Sequence, residues 1–307
     1  MRFFSKKQIA ASILCGLALG TLALVGSKGA AAPDHPHLPA GVRMEDVRFH
    51  SNDLGHDVTY RVVLPATYPP SAKLPVVWLL HGAGDNHRSW TDKSDIADLA
   101  AHGVMLVMPD GENSYYVNFA SSSKRRYEDY IIDEIIPDAR RRFPVAATDR
   151  AENAIIGISR GGYGAVILAL KHPQLFTFAG SLSGTLDVPE RHYRWQEPFT
   201  SFGIRRTFGP MGSATRKQDD PFLVVANLPS EPQPTYLYLA CGEQEVLLPS
   251  NRRFAAMLGE RNLPYTLDTV HGAHDWGVWN RQLPALESSL LEHLGVSTRS
   301  ASGQVPS

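Results

Sequence analysis

A serine flanked by glycines, Gly157-Ile158-Ser159-Arg160-Gly161, ends one apolar run, Ala154 to Ile158, and precedes another, Tyr163 to Leu170. That order predicts strand, sharp turn and helix, a turn that holds a serine hydroxyl above the end of a sheet in a strained conformation. Glycines are needed around it because a Cβ would strike the neighbouring strand or helix. A hydroxyl is a poor nucleophile at neutral pH, so it requires an imidazole to take its proton and a carboxylate to orient that imidazole. On such an elbow the partners follow in chain order, acid first and histidine second. Of 12 histidines, His172, His192, His271, His274 and His293 come after Ser159. His274 sits in the loop between the predicted strand Tyr265 to Val270 and the closing helix, where the base belongs; His271 shares that loop and is the competitor. The preceding strand ends at Ala240-Cys241-Gly242, with Glu243 and Glu245 just beyond. Glu245 has the better reach, since Glu243 follows the turn glycine too closely. Asp268 falls inside a strand, and Asp275 opens a helix as an expected N-cap. An oxyanion would need two amide donors, expected from Arg160 and from Ala83 in the stretch His81-Gly82-Ala83-Gly84.

The elements that must position these groups are legible as periodicity. Val47 to His50 and Val58 to Leu64 read as strands around the turn at 51–55. Leu74 to Leu80, Val104 to Met108, Ala154 to Ile158, Phe178 to Leu182 and Thr235 to Ala240 are short apolar runs expected to be strands buried on both faces. Helices are expected at Ile96 to Ala101, Tyr127 to Phe143, Tyr163 to Leu170, about Asn251 to Leu258 and about Trp276 to Leu294. Strands alternating with helices imply parallel crossovers, hence a doubly wound, mostly parallel α/β sheet. Residues from about 185 to 234 break the rhythm: they carry Tyr193, Trp195, Phe199, Phe202 and Phe208, show no clean strand, and read as an insertion covering the site.

The chain has 307 residues, 43% hydrophobic and 20% charged, which suits one catalytic domain at 45–296 after a lead-in segment at 32–44. Arg2, Lys6 and Lys7 precede an apolar stretch from Ile9 to Val25 and the small residues Gly29 to Ala32, the order of a secretory signal peptide cleaved near Ala31. The alternative is an uncleaved anchor. Secretion or a periplasmic location is therefore expected, with no membrane association after cleavage and a polar, disordered tail at 297–307. Four of the 30 basic residues precede position 32 and all 31 acidic ones follow it, leaving 26 against 31 and a net charge of about −5, which argues against nucleic acid as a partner. Of the two cysteines only Cys241 would remain, excluding an intrachain disulfide. No metal-binding or phosphate-loop pattern occurs, so neither metal nor cofactor is expected. Trp90, Tyr115, Tyr116 and Trp279 are candidates to line an acyl or aromatic pocket, and Arg205, Arg206 and Lys217 could meet an acidic substrate.

The set His81-Gly82, Gly157-x-Ser159-x-Gly161-Gly162-x-Gly164-Ala165, Cys241-Gly242-x-x-Glu245 with Leu248 and Asn251, and Gly272-x-His274-Asp275-Trp276-x-x-Trp279 resembles the esterase D family over about residues 45 to 294. The resemblance implies the α/β-hydrolase fold and an esterase acting on a small-molecule ester, with Ser159 as nucleophile, His274 as base and Glu245 as acid. Relatives it brings into view are feruloyl, acetyl and tributyrin esterases, S-formylglutathione hydrolases and the mycolyltransferases of antigen 85. Thioesterase and acyltransferase are thus the near alternatives, and an inactive binding protein that kept the fold is the remote one. Two departures stand out. The family usually places aspartate where Glu245 stands, and an export signal does not suit a thioester hydrolase of the cytosol.

Overall fold

Short apolar strands, five to seven residues long, assemble here with two ten-residue strands and a more polar six-residue strand into one eight-stranded sheet. The computed structural model describes residues 33–192, 196, 198–228 and 234–296. The expected leader at 1–31, the tail at 297–307, and Tyr193 and Trp195 of the insertion lie outside the described residues. The described residues from His35 onward belong to one compact unit.

The strands are β1 (Val42–Ser51), β2 (His56–Pro65), β3 (Val76–Leu80), β4 (Met105–Pro109), β5 (Asn153–Ile158), β6 (Phe178–Leu182), β7 (Tyr236–Gly242) and β8 (Tyr265–Val270). Their spatial order is β1-β2-β4-β3-β5-β6-β7-β8. β1, β2 and β4 pair antiparallel, and every pair from β4 to β8 is parallel. Helices are α1 (Ser89–Lys93), α2 (Asp98–Ala101), α3 (Tyr127–Asp129), α4 (Ile136–Arg142), α5 (Arg160–Lys171), α6 (Pro198–Phe208), α7 (Ala214–Gln218), α8 (Pro221–Ala226), α9 (Leu248–Glu260) and α10 (Trp276–His293). Alternate residues of β3 serve opposite faces of the sheet: Val76, Trp78 and Leu80 join one apolar cluster, Val77 and Leu79 the other. The doubly wound, mostly parallel α/β-hydrolase architecture expected from the sequence is the one observed.

Several elements differ from expectation. β1 starts at Val42, paired with Pro65, so the lead-in ends three residues earlier than the sequence pattern suggested. His37 also donates its amide to Thr91 O at 2.8 Å. The single helix expected over Tyr127 to Phe143 is split by a π-helical stretch, Tyr130–Ile135, in which Ile136 N–H reaches back five residues to Ile131 O. Pro137 accounts for it, since proline removes one helical donor and its ring crowds the carbonyl four residues earlier. The short helix α1 carries no apolar period and is absent from the sequence expectation. In the insertion, no strand occurs among the described residues; α6, α7 and α8 occupy it instead.

Ridges of backbone rather than side chains govern the β5–α5 turn. A Cβ on Gly157 would lie 2.1 Å from Gly161 O, and one on Gly161 would lie 2.3 Å from Leu80 O. Gly157→Ala is therefore expected to destabilise the protein by about 3 kcal/mol, as overpacking against backbone that cannot yield. Gly103→Ala, whose Cβ meets nothing within 4 Å and whose cost is its φ of +87°, should lose only about 1 kcal/mol. Urea unfolding followed by circular dichroism measures both, and equal losses would contradict the assigned clash.

Candidate active site

Parallel strands deliver their carboxyl ends to one edge of the sheet, and the registers of β3, β5, β6, β7 and β8 bring the loops at those ends into line. Leu80 pairs with Gly157, Ile158 with Leu182, Leu182 with Ala240, and Gly242 with Val270. The loops bearing Ala83, Ser159, Ser183, Glu245 and His274 consequently emerge side by side. Such a row of strand ends, beside the reversal of strand order, is where open α/β sheets bind ligands.

Ser159 ends β5 and caps α5 with φ 55° and ψ −112°. Holding a serine there costs about 1–3 kcal/mol and persists only because its surroundings enforce it. Its amide is tied to Leu182 O at 2.8 Å. Its hydroxyl donates to His274 Nε2 at 3.0 Å, and His274 Nδ1–H donates to Glu245 Oε2 at 2.7 Å. A carboxylate can only accept, so the contact with Glu245 fixes the imidazole tautomer. Glu245, at the turn after β7, is buried and its second oxygen accepts from Ser183 Oγ at 2.6 Å and Gly242 N at 2.9 Å. Ser183 Oγ in turn accepts from Trp279 Nε1 at 2.9 Å. Burial pushes the Glu245 carboxyl upward, but the hydrogen bonds from His274, Ser183 and Gly242 outweigh it and hold the group below its ordinary value. Burial, reinforced by the Glu245 charge, pushes the adjacent Cys241 thiol up to about 12, so this cysteine stays protonated.

The competitors are elsewhere. His271 and Glu243 face each other on the exposed surface at 3.7 Å. Asp268 accepts from the Tyr238 hydroxyl at 3.2 Å, and Asp275 caps α10 by accepting from Val278 N at 3.0 Å.

Beside the serine, a Cβ on Gly82 would lie 3.5 Å from Ser159 Cβ, which brings the loop after β3 against the nucleophile turn. His81 Nδ1–H donates to Gly82 O at 2.8 Å, while its Nε2 accepts from Gly111 N at 2.9 Å. Nε2 therefore carries no proton, and Asp110 Oδ1 at 3.4 Å forms no ion pair with it. Because C=O and N–H of one peptide point in opposite directions, anchoring Gly82 O also aims Ala83 N–H. The Arg160 amide is the first of α5 and has no acceptor within the helix.

The aromatic expectations need correction. Trp90 is fully buried, edge-on to Trp276 within one apolar cluster, and Tyr116 is buried with its hydroxyl on His81 O at 3.0 Å, so neither can touch a ligand. Core packing simply outranked exposure for these large rings. Trp279 is nearly buried and holds Ser183 and the edge of the His274 ring instead of an open pocket wall. Tyr115 does line a cleft, under the Arg160 guanidinium. Sequence reasoning missed His81 and Ser183 as positioning groups. The available signal was their place at the carboxyl ends of parallel strands, next to Gly82 and Gly184 respectively.

The Esterase family model matches residues 51–290. The chain belongs to the Esterase family. It is similar to an acetyl esterase of Caldicellulosiruptor saccharolyticus, 28% identical over 253 residues covering 77% of this chain and 94% of the relative. It is also similar to the diacylglycerol acyltransferase/mycolyltransferase Ag85B of Mycobacterium avium, 25% identical over 309 residues covering 89% and 90%. Among solved structures, the fluorophosphonate-binding serine hydrolase FphF of Staphylococcus aureus superposes with a TM-score of 0.69 at 24% identity, covering 82% of this chain and 98% of that one. This esterase is thus a carboxylic-ester hydrolase of α/β-hydrolase fold. Among its described residues, no helix is long and apolar enough to cross a membrane.

A depressed carboxyl pKa makes stability depend on pH in a definite sense. The contribution of Glu245 is fully present above the ordinary glutamate value of about 4.3 and is lost as pH falls through the lower folded value. Between pH 6 and pH 3, Glu245→Gln is expected to lose less unfolding free energy than the parent protein. Parallel pH profiles from urea titrations would contradict the assigned hydrogen bonds.

Proposed function

We propose that this chain is an exported serine esterase that cleaves carboxylic esters through an acyl-enzyme on Ser159. The observation that carries the reading is the unbroken relay from Ser159 through His274 to Glu245, at 3.0 and 2.7 Å. His274 takes the serine proton as Ser159 Oγ attacks the ester carbon, and Glu245 stabilises the imidazolium that forms. The carbonyl oxygen becomes an oxyanion facing the amides of Ala83 and Arg160; one such donor is worth about 10²–10³ in turnover. The C–O bond then breaks, His274 returns its proton to the departing alcohol, and water repeats the cycle on the acyl-serine. If an acceptor alcohol outcompetes water, the same steps transfer the acyl group, a second reading favoured by the likeness to Ag85B. Export rests on the sequence pattern of residues 1–31; a catalytic domain that begins with β1 at Val42 rather than at 45, and the tail at 297–307, complete the organisation.

Ser159→Ala should abolish both turnover of 4-nitrophenyl acetate and labelling by a fluorophosphonate probe. Glu245→Gln should lower kcat by roughly 10⁴, as the equivalent change does in a serine protease, because it favours the wrong tautomer, with little effect on KM. Glu245→Asp should keep part of the activity, whereas Glu243→Gln and Asp275→Asn should be near neutral. Full labelling of Ser159→Ala, or normal turnover in Glu245→Gln, would overturn the assignment.

A further inference from the structure

A cleft of about 200 Å³ has walls that carry Arg125, Arg160 and Arg206 together with Tyr115, Phe119 and Phe199. Arg160 follows Ser159 in the chain, and its guanidinium lies 4.7 Å over the Tyr115 ring while donating to Asn113 O at 2.8 Å. Asn113 also accepts from Gly84 N at 3.0 Å through its side chain, so the cleft wall is joined to the loop that bears Ala83. Arg125 lies 4.7 Å over Phe119. The opposite wall is α6 from the insertion, stitched to the Phe119 loop by Ala120 N to Thr207 O at 2.8 Å and Ser121 N to Arg206 O at 3.2 Å.

Charge balance makes this cleft unusual in the molecule. The buried guanidiniums meet a carboxylate or backbone carbonyls, as Arg61 meets Asp46 and Arg216 meets Gly209 and Pro189, whereas Arg125 and Arg160 are half-buried and Arg206 is exposed. Among the described residues, no carboxylate lies within ion-pair distance of Arg125, Arg160 or Arg206. Three cationic side chains on one cleft without a counter-charge leave its lining electropositive; their aromatic contacts, Arg160 over Tyr115, Arg125 over Phe119 and Arg206 5.8 Å over Phe202, compensate only weakly. An anionic group would be attracted to that lining and could be held by the guanidinium fork geometry. Arg205 and Lys217, grouped with Arg206 on sequence grounds, face other surfaces.

The geometry points to a subsite for an anionic group on the ester substrate, a carboxylate or a phosphate, held by Arg125, Arg160 and Arg206. The inference rests on the esterase reading above. It makes the enzyme selective for esters that carry negative charge on one half.

Matched ester pairs test it. One pair is the half ester 4-nitrophenyl succinate against neutral 4-nitrophenyl butyrate, with charge on the acyl half. The others are 4-acetoxybenzoate and 4-acetoxyphenyl phosphate, each against methyl 4-acetoxybenzoate, with charge on the alcohol half. For at least one pair, the anionic-to-neutral ratio of kcat/KM should fall about tenfold in the combined variant Arg125→Gln, Arg206→Gln. The neutral ester should stay within about twofold of the parent, and 0.5 M sodium chloride should reduce the parent's ratio. The larger fall identifies carboxylate or phosphate. Ratios unchanged in every pair, with neutral esters still hydrolysed, would overturn the subsite alone; no turnover of any ester, charged or neutral, would overturn the esterase reading on which it rests.

Discussion

The backbone strain at Ser159 is the constraint on which the rest of the site depends. A residue with a side chain adopts φ 55°, ψ −112° only where strand and helix are pinned so closely that no relaxed turn fits. Gly157 and Gly161 supply that closeness, and the Leu80 carbonyl of β3 sits where a Cβ on Gly161 would go. The same contact that strains the serine therefore brings the end of β3, and with it Gly82 and Ala83, against it. The candidate nucleophile and the prospective oxyanion donors are products of one packing event.

The carboxylate arm is governed by a different balance. Burying an acid disfavours its charged form, and an unpaired buried carboxylate would simply take a proton. Glu245 avoids this because three donors converge on its two oxygens: His274 Nδ1–H, Ser183 Oγ–H and Gly242 N–H. Trp279 then orients Ser183, extending the chain of donors into α10. A glutamate side chain is one methylene longer than an aspartate and has more rotamers to lose, which is a reason for its second oxygen to be held as firmly as the first. This supporting shell offers a physical account of how glutamate can stand where the family resemblance of the sequence leads one to expect aspartate.

Much of this was readable in the sequence, and the reasons are specific. The parallel strands were legible because burial on both faces leaves continuous apolar runs, and the order Ser159, Glu245, His274 follows from connectivity alone. The π-helical stretch was not legible, since Tyr130 to Ile136 keeps a helical apolar pattern whatever its hydrogen bonding, and only Pro137 hints at the break. Trp90 and Tyr116 were misjudged because aromatic type does not reveal which face of an element a ring occupies. Ser183 and His81 escaped because their role is to aim another group: Ser183 meets Glu245 62 positions away, and the His81 ring is fixed by the Gly111 amide 30 positions away, separations that leave no local pattern. The arginine cleft likewise joins residues from the loop after β4, the start of α5 and α6, a meeting that only the fold creates.

The central claim is that acyl transfer passes through Ser159. Rapid acid quench of the enzyme with 4-nitrophenyl acetate, followed by proteolysis and mass spectrometry, tests it most directly. The relay predicts an acetyl increment on the hydroxyl of Ser159, formed within the burst of nitrophenol release and lost as water or an added alcohol completes the cycle. An acetyl group on any other residue in that burst, or none at all while turnover proceeds, would contradict it.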